Sequence, residues 1–77
     1  MNNKTTSDVL QKIYVLGRKI AQIRQSAGLS QNNFAEILHI SREHLAKIET
    51  AKRSVSLDLL INIADSLNVK VKDLIDF

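Results

Sequence analysis

The chain of 77 residues has no cysteine or proline, two glycines and three aromatic residues. Without cysteine there is no disulfide and no thiolate metal site. So few turn-forming residues argue against a sheet-rich domain, and three aromatics argue against a stacking platform for single-stranded nucleic acid. No apolar run approaches the roughly 18 residues of a membrane span, and no signal segment opens the chain. We therefore expect a cytoplasmic protein without a membrane contact.

The composition fits one small globular domain, with 44% hydrophobic residues and a net charge of +3. The charge is uneven along the chain. Residues 1–30 carry five basic and one acidic residue (+4), residues 31–56 four and three (+1), and residues 57–77 two and four (−2). This gradient is typical of a protein that binds a polyanion in one orientation, although a solvated charged surface would have the same composition.

Apolar residues at steps of three and four predict five short helices. The first extends from Ser7, a plausible N-cap, to Ala27, and Gly28 ends it. Gly17 interrupts its apolar stripe. Either the helix keeps this glycine for close packing, or it begins only near Val15; we favour one long or kinked helix.

Three serines are predicted to cap the next three helices, and a fifth short helix ends the chain. The predicted segments are Gln31–Leu38 after Ser30, Arg42–Thr50 after Ser41, Leu57–Leu67 after Ser56, and Val71–Phe77. Only His39, Ile40 and Ser41 separate the second and third helices. That spacing is typical of a helix-turn-helix, whose second helix faces outward.

The third helix has one apolar face and one polar face at 100° per residue. Leu45 and Ile48 point inward, and the opposite face comprises Arg42, Glu43, Ala46, Lys47 and Thr50. Such a face suits the major groove, where arginine or lysine bonds guanine, glutamate accepts from cytosine, and a small residue admits a thymine methyl. An ordinary solvated face is the alternative. Glu43 either contacts a base or pairs with Lys47 four residues later.

Residues spread over positions 16–75 form one pattern of types and spacings. They are Leu16–Ile20, Arg24, Gly28–Ala35, Ile40–Arg42, Leu45, Ile48–Glu49, Lys52–Arg53, Ser56–Leu57, Leu60, Ile63–Ala64 and Leu67–Val69. In this order they resemble the Cro/cI-type (Xre) helix-turn-helix family. The resemblance implies an all-α, lambda repressor-like DNA-binding domain of five helices over residues 16–77. Residues 1–15 would be a partly helical N-terminal extension.

The same resemblance implies a role for each matching residue. Base-reading positions are Ser41, Arg42, Glu43, Ala46 and Lys47; phosphate-binding positions are Gln31, His44, Lys52 and Arg53; Arg24 and Glu49 form a structural ion pair. Gln31 also matches a residue that steadies a base-reading side chain. The alternative for Gln31 is that it is simply a good helix-forming residue. Five residues depart from the family pattern, namely Asn33, His39, Thr50, Ala51 and Val55. His39 stands where glycine usually ends the second helix, so it must accept a left-handed conformation or a different turn.

Apolar residues near the C-terminus, in excess of what the core of one small domain needs, predict a homodimer interface. They are Leu59, Ile61, Val71, Ile75 and Phe77. The alternative is that Val9 and Leu10 cover this surface within one chain.

The leading hypothesis is a transcriptional regulator that binds a pseudo-palindromic double-stranded DNA operator as a homodimer; repressor and activator roles both stay open. The alternatives are an antitoxin that also binds a toxin protein, and a protein-interaction module without specific DNA binding. His39 and His44 have no clustered ligands around them, so no metal is expected. Nor do we expect a cofactor, a small-molecule ligand or enzymatic activity, since no catalytic constellation is present.

Overall fold

A computed structural model describes residues 3–77 and shows an all-α fold in that part of the chain. The helices are α1 (Asn3–Ser26), α2 (Gln31–Leu38), α3 (Arg42–Glu49), α4 (Leu57–Ser66) and α5 (Val71–Leu74). The five-helix fold predicted from the sequence is confirmed. Within the same residues, no helix is both long enough and apolar enough to cross a bilayer.

The three predicted serine caps are confirmed. Ser30, Ser41 and Ser56 have extended backbones, and each hydroxyl accepts a hydrogen bond from the backbone N–H three residues later. The distances are 3.0 Å for Ser30 and Ser41 and 3.3 Å for Ser56. An N-cap of this kind contributes about 1 kcal/mol, so each serine sets where its helix begins.

Helix α1 is a single helix of 24 residues and begins earlier than predicted, so Ser7 lies inside it and is not its N-cap. It runs without a break across the predicted boundary between residues 15 and 16. Gly17 is kept for close packing. A Cβ atom there would lie 3.1 Å from the Glu49 carbonyl oxygen and still closer to that of Ile48. Glycine is therefore what lets the backbone of α1 approach the end of α3.

Each of the five helices contributes one fully buried side chain to a common core. These side chains are Ile20, Phe34, Leu45, Ile63 and Leu74. Helix α3 packs on α1 and α2, α4 packs on α2 and α5, and α5 also contacts α1. Full burial of such a side chain is worth about 1.5–3 kcal/mol, so a small chain needs a contribution from every helix.

The first four helices end in the same way. A residue one or two positions beyond each helix end adopts a left-handed conformation, with φ of 77° at Gly28, 58° at His39, 61° at Ala51 and 59° at Asn68. The next N–H then donates to the carbonyl five residues earlier, as Ile40 does to Ala35 at 3.0 Å. This is the Schellman motif, which satisfies carbonyls left free at a helix end. His39 therefore keeps the usual turn and accepts the left-handed conformation.

The replacement His39→Gly is expected to stabilise the protein by about 0.5–1 kcal/mol, because glycine adopts positive φ without the steric cost that a Cβ atom causes. His39 is exposed, so little packing is lost. Urea denaturation measures the change. His39→Ala is the control, since it removes the imidazole and keeps the Cβ atom; equal stabilities of the two variants would contradict the prediction.

Candidate nucleic-acid interface

Helices α2 and α3 form the predicted helix-turn-helix, and α3 has one face on the surface. Leu45 and Ile48 are buried in the core. Of the candidate base-reading residues, Ser41, Arg42, Glu43 and Lys47 are exposed and Ala46 is half-buried. The structure thus brings the five candidates together on one helix and at its N-terminus.

Two of the candidate DNA-contacting residues, Ser41 and His44, are restricted by their surroundings in the protein. The Ser41 hydroxyl already accepts the His44 N–H at 3.0 Å, so it has its own O–H and one lone pair left for a base. His44 is half-buried, which leaves only part of its ring facing outward. Both residues therefore have less freedom to meet DNA than Arg42 or Lys47.

Arg24 and Glu49 form the predicted ion pair in a buried position. Their exposed fractions are 6% and 3%. Nε and Nη2 of Arg24 donate to Oε2 and Oε1 of Glu49 at 2.7 and 3.1 Å, in the two-pronged geometry favoured by guanidinium and carboxylate. Nη1 of the same arginine donates to the Leu29 carbonyl at 2.6 Å. One side chain of α1 thus holds both the following loop and the end of α3.

Gln31 connects this buried pair to the exposed face of α3. Its Nε2 donates to Glu49 Oε1 at 2.9 Å, and its Oε1 accepts a longer hydrogen bond from Arg42 Nη1 at 3.4 Å. The carboxylate therefore fixes which way the amide points, since only the NH₂ group can donate to it. The result is a continuous chain of hydrogen bonds from Arg24 through Glu49 and Gln31 to Arg42, which we call the polar relay.

The link between Gln31 and Glu49 was not predicted from the sequence. The two residues are 18 positions apart and lie on different helices. Helical periodicity reports only on neighbours within one helix, so it carries no signal for this contact. The resemblance had assigned Gln31 to phosphate and to a base-reading side chain, and the relay leaves one amide N–H free for phosphate.

Lys52 and Arg53 are both exposed in the segment that follows α3. The Lys52 N–H donates to the Lys47 carbonyl at 2.8 Å, so the end of α3 holds the backbone of this segment. Arg53 lies at a cleft of about 80 Å³ beside Ile13 and Leu16. Pockets for organic ligands usually measure several hundred Å³, which makes this cleft too small for one. Among the residues described, no three His, Cys, Asp or Glu side chains are grouped to hold a metal ion.

The candidate dimer residues divide into two groups. Ile61, Ile75 and Phe77 are 41–53% exposed. Leu59 and Val71 are half-buried and pack against the core of their own chain.

Comparison with known proteins identifies the family. A helix-turn-helix family model matches residues 20–74, which is more than two thirds of the chain and contains α2 to α5. This chain belongs to the Cro/cI-type helix-turn-helix family. An uncharacterized HTH-type transcriptional regulator of Rickettsia conorii is 35% identical over 63 residues, which are 80% of this chain and 50% of that protein. This helix-turn-helix protein thus spans about half the length of that relative.

Two further proteins resemble this helix-turn-helix protein. Antitoxin PezA of Streptococcus pneumoniae is 34% identical over 61 residues, which are 79% of this chain and 39% of the antitoxin. The crystal structure of the restriction-modification controller protein C.AhdI from Aeromonas hydrophila superimposes with a TM-score of 0.77 and 26% identity. That match covers 80% of this chain and 94% of the controller. These three relatives are named as a transcriptional regulator, an antitoxin and a restriction-modification controller.

The replacement Glu49→Gln is expected to destabilise this helix-turn-helix protein by about 3 kcal/mol, because it leaves the Arg24 cation buried without an anion. Urea denaturation followed by circular dichroism measures the loss. Glu43→Gln is the control on the same helix, where the carboxylate is exposed and a change within about 0.5 kcal/mol is expected. If both variants lost the same stability, the ion pair would have no special role.

Proposed function

We propose that this helix-turn-helix protein is a transcriptional regulator that binds specific double-stranded DNA as a homodimer. The observation that carries the proposal is the exposed polar face of α3, with Arg42 held at its N-terminal end by the polar relay. A side chain held in advance loses less conformational freedom on binding. We assign residues 16–77 to the DNA-binding domain and residues 1–15 to an extension, and we place the protein in the cytoplasm.

The exposed residues of α3 would read base edges in the major groove. Arg42 has the two-pronged donor geometry that matches O6 and N7 of guanine. Lys47 would also bond guanine, and the Glu43 carboxylate would accept from N4 of cytosine. Ala46 leaves room for a thymine methyl, and the Ser41 hydroxyl would donate to a nearby base. Their mixed chemistry would let the helix distinguish one base pair from another.

Residues around α3 would hold the sugar-phosphate backbone. Gln31 opens α2, where free backbone N–H groups attract an anion, and its own amide has one N–H available. Lys52 and Arg53 place two positive charges three and four residues after the end of α3, and His44 adds a partly exposed ring. Such contacts set the position of the protein on the duplex without reading sequence.

A homodimer would present two copies of α3 to successive major grooves. The half-sites would be centred about 34 Å apart on a pseudo-palindrome, because the operator mirrors the two-fold symmetry of the protein. The acidic region of residues 57–77 would face away from the phosphates, which is consistent with the charge gradient along the chain. Binding near a promoter would repress transcription by blocking polymerase, or activate it by offering polymerase a surface.

Similarity to antitoxin PezA supports a second candidate, a regulator that also binds a toxin protein. This second candidate predicts a partner protein that copurifies in fixed stoichiometry and covers exposed apolar residues. Purification of the tagged chain from its natural host, with mass spectrometry of what elutes, separates the two candidates. An interaction module without DNA binding has no use for the basic residues of α3 and the segment after it.

Selection of bound duplexes from a random pool at near-physiological salt tests the proposal, and a pseudo-palindrome should be enriched. On that sequence, Arg42→Ala is expected to cost about 1–3 kcal/mol, because a two-pronged contact to one base pair is lost. Repeating the selection with the variant should relax the preference at one position in each half-site. An equal loss on random DNA would contradict a base-reading role.

The replacement Lys52→Ala is expected to weaken binding to all sequences and to lower the slope of log K against log salt by about one. The reason is that one fewer phosphate would be neutralised and one fewer counterion released. Fluorescence anisotropy at several salt concentrations gives the slope. Lys52→Arg keeps the charge and should keep the slope, whereas an unchanged slope in the alanine variant would remove Lys52 from the backbone contacts.

A further inference from the structure

Glu49 makes one hydrogen bond that its ion pair does not require. The pair with Arg24 satisfies both buried charges, since two nitrogens of the guanidinium bond the two carboxylate oxygens. Oε1 of Glu49 nevertheless accepts a further bond from Nε2 of Gln31 at 2.9 Å, although Gln31 is only half-buried. This extra bond connects the buried carboxylate to the polar surface and indicates a second role for it.

The extra bond decides between two orientations of the Gln31 amide, whose oxygen and NH₂ group can exchange places by a flip. In the observed orientation the NH₂ group faces Glu49 and Oε1 faces the Arg42 guanidinium. After a flip, two acceptors would meet at Glu49 and two donors at Arg42. The contact at Glu49 opposes the flip more strongly, because it is 2.9 Å long against 3.4 Å and its acceptor is a buried carboxylate.

The outward oxygen of Gln31 sets which side chain can be held at position 42. A guanidinium has donors and no acceptor, so Arg42 fits this position. Arg42 is exposed, and without an outward acceptor it would sample many rotamers that must be given up on binding. Held in place, it presents donors to guanine, whose major-groove edge offers two acceptors.

We propose that Glu49 is a positioning residue for base recognition, which acts through the Gln31 amide on the Arg42 guanidinium. Arg24 contributes by fixing both oxygens of the carboxylate. The inference rests on the proposed function, in which Arg42 reads a base. It adds that a side chain with 3% of its surface exposed, and so without access to DNA, influences which base is preferred.

The decisive variant removes the carboxylate without leaving a buried charge. Glu49→Gln alone leaves the Arg24 cation without an anion. Arg24→Met with Glu49→Met instead replaces the pair by apolar side chains, a change that is often neutral for stability. Urea denaturation verifies that this double variant folds. If it does not, Arg24→Leu with Glu49→Met gives the same site a second packing.

The first measurement follows Arg42 in the free protein. Heteronuclear NMR relaxation of its Nε–H group should give an order parameter above about 0.6 in the unmodified chain and a value in the flexible range, below about 0.6, in the double variant. Adding Gln31→Glu to the double variant should restore the restraint, because a carboxylate accepts from Arg42 in either orientation. An order parameter that is the same with and without Glu49 would overturn the proposal.

The second measurement follows base preference on the sequence that selection enriches. The base pair read by Arg42 is the one where Arg42→Ala relaxes the preference. At that pair, the ratio of Kd for a changed base to Kd for the preferred base should fall about fivefold in the double variant, as expected for residues coupled in one hydrogen-bond network.

The matched control repeats the double substitution in the Arg42→Ala background, where the ratio should stay unchanged. Adding Gln31→Glu to the double variant should recover the ratio, even though the new negative charge weakens binding to every sequence. A purely structural role of Glu49 would weaken binding to all sequences alike. A ratio that the double variant leaves unchanged would therefore overturn the proposal.

The outcomes separate this inference from the regulator itself. A specific sequence that is enriched and bound with an unchanged ratio would preserve the proposed regulator and remove the role of Glu49. Failure to enrich any sequence would remove both, because no base would then be read.

Discussion

The buried ion pair between Arg24 and Glu49 is the interaction on which the rest of this structure depends. Removing two charges from water is costly, and the cost is offset only when the partners are close and their remaining polar atoms are bonded. Both conditions hold here, because Leu29 and Gln31 complete the hydrogen bonds. No buried side-chain nitrogen or oxygen lacks a partner among the residues described. The angle between α1 and α3 is thus set by polar geometry as well as by apolar packing.

The polar relay passes from the interior to the surface in four side chains. Arg24 and Glu49 are buried, Gln31 is half-buried and Arg42 is exposed. Stability and the candidate recognition surface therefore share atoms at Glu49, whose carboxylate bonds both the core arginine and the glutamine. Substitution at the inner end affects folding, and substitution at the outer end affects the surface.

Features that depend on neighbours in the chain could be predicted from the sequence. The serine caps are local contacts over three residues, and the buried positions repeat with the helix period. The start of α1 was predicted wrongly, because Ser7 carries a capping signal and residues 3–6 have no apolar residue to indicate a helix. The contact from Gln31 to Glu49 could not be predicted, since it depends on how two helices pack.

The candidate dimer surface shows the same limit of sequence reasoning. Leu59 and Ile61 are both apolar, but they are two residues apart on one helix and so point about 200° apart. Tertiary packing directs Leu59 towards the core and leaves Ile61 exposed. Periodicity identifies surplus apolar residues, and only the arrangement of helices decides which of them stay on the outside.

The close approach at Gly17 has a geometric consequence for α3. Because the backbone of α1 lies against the last carbonyls of α3, a side chain at position 17 would have to push the end of α3 away from α1. That displacement would carry Glu49 away from Arg24 and would move the exposed face of α3 with it.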